Sequence, residues 1–104
     1  MSELEPYDTG EETQVKQKKT KAQLNREREI EALRNILSTY DGRAFLWRLL
    51  EECGIYTSSF TGNSTTFFNE GKRHVGLWTL NEIMDVNPNL YQQMRVEAVE
   101  RNKR

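Results

Sequence analysis

Few residues in this 104-residue chain can do acid–base, nucleophilic or metal chemistry: there is one histidine, His74, and one cysteine, Cys53. His74 follows Glu70 at a spacing that brings two side chains together on a helix. General acid–base catalysis usually needs histidine or paired carboxylates inside an apolar cleft. A lone Glu–His pair on a polar surface is expected to be a hydrogen bond at the surface or between helices. Cys53 ends an apolar segment with no base near it in sequence, where a thiol is normally an inert core group. Glu51 and Glu52 are adjacent, so on a helix they point in different directions. Gly71-Lys72 lacks the hydroxyl residue that completes a phosphate-cradling loop. No cluster of cysteine and histidine suggests zinc, and one cysteine cannot form an internal disulfide. These residues point to a chain that is not an enzyme, with no cofactor and no metal.

Adhesion is better represented. From Gly54 to Leu80 an aromatic-bearing loop runs into a glycine-notched helix, an arrangement suited to recognition or docking. Tyr56, Phe60, Arg73 and Trp78 are the candidate partner contacts. Apolar loop residues such as Ile55, Tyr56 and Phe60 usually tuck back onto a core, so a structural role stands beside the docking one. The net charge of −1 hides a segregation of sign. Residues 1–12 are acidic, residues 16–28 are basic, and the chain closes on Arg101, Lys103 and Arg104. Lys16, Lys18, Lys19 and Lys21 are candidate nucleic-acid contacts, since lysines on phosphate release counterions. The plainer reading is a solvated helix face, because the acidic segment beside them repels phosphate and no aromatic residue interleaves the lysines.

The elements that position these residues read as all-α, a small bundle of about four helices behind an acidic tail. With the polar ends set aside, about 65 to 75 residues remain for a core. Residues 1–19 form a polar tail, disordered or ordered by a partner. Residues 20–38 form a long polar N-terminal helix, with Leu24, Ile30, Leu33 and Leu37 near one face and Ile36 beside them. Its first half has almost no apolar stripe, so it must project into solvent or lie on a partner. A compact helical domain follows over 39–98, and 99–104 is a basic tail. Asp41 is the expected N-cap of a second helix that ends at Gly54. Phe45, Leu46, Leu49 and Leu50 are its expected buried stripe, with Trp47 at the edge. Thr65 or Thr66 is expected to cap a third helix whose apolar residues occupy more than one face. Gly71 and Gly76 inside it suggest close approach of another backbone or a bulky ring, with the loop aromatics as natural occupants. Asn87 and Pro88 mark the start of a fourth helix, with Leu90, Tyr91, Met94 and Ala98 on its apolar face. No stretch approaches the roughly 18 apolar residues of a membrane span and no leader opens the chain, so a soluble, unprocessed, cytosolic product with no membrane partner is expected.

Four motifs in order carry a resemblance: the run from Gly42 to Gly54, then Ser59 to Ser64, then Phe68 to Gly76, then Pro88 to Tyr91. Together they resemble a family of small proteins encoded among the head and portal genes of short-tailed bacteriophages, typified by a Bordetella phage protein. The resemblance covers about residues 33 to 95 and leaves the N-terminal third outside it. It implies a virion or head-assembly component, made in the host cytoplasm and placed near the portal vertex or among internal proteins. Its partners would be portal, capsid or other head and tail proteins and further copies of itself. A DNA-contacting internal protein and a transient scaffolding factor are the rival readings.

Overall fold

A computed structural model describes residues 18–57, 62 and 65–103. Helices α1 (Lys21–Leu37), α2 (Tyr40–Glu52), α3 (Thr65–Val86) and α4 (Pro88–Asn102) make up the fold, and no strand occurs among the described residues. The expected all-α bundle of four helices is therefore what forms. The acidic segment and Lys16 lie outside the described residues.

Each helix boundary has a local cause. Thr20 caps α1 with a reciprocal pair of bonds: Gln23 N–H donates to the Thr20 hydroxyl at 3.1 Å, and Thr20 N–H donates to Gln23 Oε1 at 2.8 Å. Two residues separate α1 from α2, and the cap of α2 is Thr39, whose hydroxyl accepts from Gly42 N–H at 3.0 Å. Asp41, the expected cap, instead sits in the first turn, where its charge faces the positive helix end. This tight corner needs Gly42, because a Cβ there would lie 1.9 Å from the Ile36 carbonyl oxygen. At the far end of α2, Cys53 is the C-cap and Gly54 follows with φ +71, the left-handed conformation expected there. Helix α3 begins at Thr65, with Thr66 its second residue, and the two positions before it lie outside the described residues. Asn87 caps α4 by accepting from Asn89 N–H at 3.0 Å, with Pro88 in the first turn as expected. Helix α4 then runs past Ala98 to Asn102.

Four fully buried side chains mark the centre, one from each helix: Leu37, Leu50, Ile83 and Met94. Leu46, Trp47, Cys53, Ile55 and Ala98 surround them. In α2 the buried stripe is thus Leu46, Trp47 and Leu50, a correction in which Trp47 moves inward and Phe45, 59% exposed, moves out. Tyr56 and Tyr91 cause the rotation: their rings lie 6.1 and 5.8 Å from Trp47, so the indole has aromatic neighbours that Phe45 lacks.

Near the start of α2, Arg43 ties three helices together. Its guanidinium donates to both oxygens of Glu97 on α4, at 2.9 Å for the shortest contact, and to the Leu37 carbonyl of α1 at 2.9 Å. The last bond satisfies a carbonyl at the α1 end that has no helical partner. Arg43 holds the Glu97 carboxyl below its ordinary value, chiefly through the hydrogen bonds.

The two glycines of α3 have opposite surroundings. A Cβ on Gly76 would lie 2.5 Å from both Cys53 Cβ and Ile55 Cγ2, whereas one on Gly71 would meet nothing within 4 Å among the described residues. Close approach therefore holds at Gly76, where the occupants among the described residues are Cys53 and Ile55, while Phe60 of the expected loop aromatics lies outside them. Gly76→Ala should destabilise the chain by about 1 to 3 kcal/mol through overpacking. Gly71→Ala, on an open helix face, should stabilise the dilute chain by up to about 1 kcal/mol. Paired thermal melts followed by circular dichroism would show the opposite signs. The Glu97 carboxyl, lowered in the folded state, contributes stability that is present above its unfolded value and lost as pH falls through the folded one. Melting temperature should accordingly fall as pH drops below the ordinary carboxylate range, and Glu97→Gln should flatten part of that fall.

Candidate docking site

Between α1, α2 and α3 lies an open groove of about 540 Å³, lined by Leu33 and Ile36 of α1, Leu46 and Leu49 of α2, and Trp78 and Thr79 of α3. Arg26, Glu29 and Glu82 close one end. The groove exists because α1 is pinned to α3 at that end. Arg26 donates to both oxygens of Glu82, at 2.8 and 3.0 Å, and to Asp85 at 2.9 Å, while Glu29 lies 3.3 Å away on its own helix. Three carboxylates drive the guanidinium further toward its charged form. Along α1 from this pin, Leu33 and Ile36 face Trp78 across the groove, and nothing among the described residues fills the space between.

Several large apolar side chains remain exposed. Trp78 keeps 59% of its surface in water, and Ile36, Phe45, Phe68 and Val75 are each about half exposed or more. Scattered exposed apolar residues are ordinary, but a contiguous patch beside a groove marks a docking surface. Helix periodicity makes it contiguous here: Phe68, Val75 and Trp78 share one side of α3, and Phe45 lies one turn before Leu49 on α2.

The residues singled out in the sequence do not form one site. Trp78 belongs to the groove. Arg73, half-buried on the same helix, points roughly 140° away from it. Tyr56 packs on Trp47, and its hydroxyl shares a hydrogen bond with that of Tyr91. Burial first, and that bond second, push its phenol above the ordinary tyrosine range. Tyr56 thus flanks the core at Trp47 while 55% of its surface stays exposed. Phe60 and Lys16 lie outside the described residues. Lys18, Lys19 and Lys21 are exposed at the start of α1, and Lys19 pairs with Glu27 at 2.5 Å. His74 is exposed on α3, and among the described residues no group of histidine, cysteine, aspartate and glutamate is placed to hold a metal. No described helix is long and apolar enough to cross a membrane.

Sequence reasoning assigned Leu33 and Leu49 to the interior and Arg26 to a basic run, and so missed the groove they line. The signal for it was the second apolar stripe of α3, one more than a helix needs to face its own core.

The sequence model of a family described as Bbp19-like phage protein matches residues 33–95. No curated protein and no solved structure matches. The matched span contains Leu33, Ile36, Leu46, Leu49 and Trp78, the apolar lining of the groove.

The two tryptophans should behave differently when truncated. Trp47→Ala should cost about 3 to 5 kcal/mol as a core deletion, and Trp78→Ala about 1 to 2 kcal/mol because most of its ring is already in water. Urea denaturation of the two variants gives both values directly.

Proposed function

The chain belongs to the Bbp19-like phage proteins, and from that membership and its uncovered groove we propose that it is a bacteriophage virion or head-assembly protein acting by protein–protein adhesion. One observation carries the reading: an apolar groove rimmed by an exposed tryptophan lies inside the family's matched span, on a fold centred on four side chains. A core this small gains from docking onto a larger body, because binding to the folded state alone adds to its stability. The particle offers repeated surfaces, so the protein would act in many copies, at the portal vertex or among the internal proteins of a short-tailed phage. Identical weak contacts repeated by symmetry give avidity without any one large interface.

Protein is favoured over DNA as the partner by how the basic run is used. Lys19 is paired with Glu27, and Arg26 is held by Glu29, Glu82 and Asp85, so two of its cations already have carboxylate partners within the chain. A phosphate ligand would have to displace them.

Quantitative mass spectrometry of purified particles tests the proposal. The chain should be present in several copies per particle, and Ile36→Glu, placed on the groove wall, should lower its incorporation by about tenfold or more. Its absence from particles at every stage of assembly would overturn the virion reading. Presence in immature particles alone would make it a transient scaffolding factor. Retention on duplex DNA at about 0.15 M salt, weakening steeply as salt rises, would instead favour a phosphate-binding role.

A further inference from the structure

Helix α3 carries two stripes. One, containing Gly76, Thr79 and Ile83, is buried against the other helices. The other, Phe68, Gly71, Val75 and Trp78, advances by alternating steps of three and four residues and is exposed throughout. Glu82 and Asp85 continue the same steps but are occupied by Arg26 of α1. Alternating three- and four-residue steps are the spacing of a helix–helix seam, in which side chains of one helix enter the gaps of another. Inside this seam sits Gly71, a residue type that weakens a helix interior. Among the described residues nothing comes within 4 Å of where its Cβ would be, so no contact among them calls for it.

We propose that this seam pairs with the same seam of a second copy, antiparallel, across a two-fold axis. Antiparallel packing of such seams sets each residue of one register type against the other type, which places Phe68 opposite Trp78 of the partner subunit and Gly71 opposite the partner's Val75. Each layer then joins a small residue to a branched one or two aromatic rings to each other, the combinations that fill space without voids. Parallel pairing would set Gly71 against Gly71 and leave a gap. The two-fold axis repeats every layer, so one surface is complementary to itself and the assembly closes at two copies. That self-complementarity is why a second copy is the occupant; a helix from another protein would have to reproduce it.

Area sets the strength. The exposed parts of Phe68, Val75 and Trp78, with Phe45 and Ile36 at the groove edge, amount to on the order of 500 Å² per copy, below the roughly 800 Å² per partner of a standard stable interface. The dimer is therefore of micromolar strength, formed where copies are concentrated, as on the surface of a particle. The inference rests on reading this face as adhesive, and it fails separately from the virion role.

Sedimentation equilibrium of the full chain between about 1 and about 300 µM tests it. The expected result is a monomer–dimer equilibrium with its midpoint in the tens of micromolar, about. Val75→Glu should weaken it at least about tenfold without altering the helical circular dichroism. Gly71→Ala is the sharper probe: it should raise the melting temperature of the dilute chain while weakening the dimer about tenfold, since the new methyl groups enter the packed layers. A purely structural role for Gly71 cannot produce that opposition. A wild-type chain monomeric over the whole range, or a dimer indifferent to both substitutions, overturns the pairing; a monomeric chain still found in purified particles does so while leaving the virion role intact.

Discussion

Leu37, Leu50, Ile83 and Met94 meet at the centre with no exposed surface, one from each helix, and the rest of the structure depends on that convergence. Because each helix gives one residue to the centre, removing any one helix exposes the other three contributions. Close packing of so few side chains must be held by something other than bulk. Two arginines supply it. Arg43 joins α2 to the end of α1 and to Glu97 of α4, and Arg26 joins α1 to Glu82 and Asp85 of α3. The first pair is largely shielded from water and acts at the tight corner made possible by Gly42. The second is more exposed and acts mainly as a pin that sets where α1 lies.

The exposed apolar face follows from the position of that pin. Holding α1 at the C-terminal end of α3 pairs Arg26 with Glu82 and Asp85 but leaves Trp78, Val75 and Phe68 uncovered. The polar first half of α1 is thus neither free nor wholly given to an outside partner: an arginine within it makes the contact that apolar residues make further along. The result is a small domain with a well-filled centre and an apolar flank. Its membership of a phage family over residues 33–95 places that flank in the family's shared region.

Much of this was legible in the chain itself. The four helices, the Asn87-Pro88 start of α4, its apolar face and the left-handed Gly54 all follow from local chemistry, because caps, prolines and periodicity act within a turn or two. Where two local solutions were nearly equal, sequence reasoning chose wrongly: Thr39 and Asp41 both cap well, and Trp47 and Phe45 are both large, adjacent and apolar.

Tertiary contacts alone decided those cases. Trp47 turns inward because Tyr56 and, much further along the chain, Tyr91 lie tilted against it. Gly76 is required by Cys53 and Ile55, and Gly71, the same residue type five positions earlier, is required by nothing among the described residues. Which of two stripes on α3 is core and which is surface depends on where Arg26 finds its carboxylates, over fifty residues away. Periodicity states that a helix has apolar faces; only the placement of its neighbours states which face is already taken.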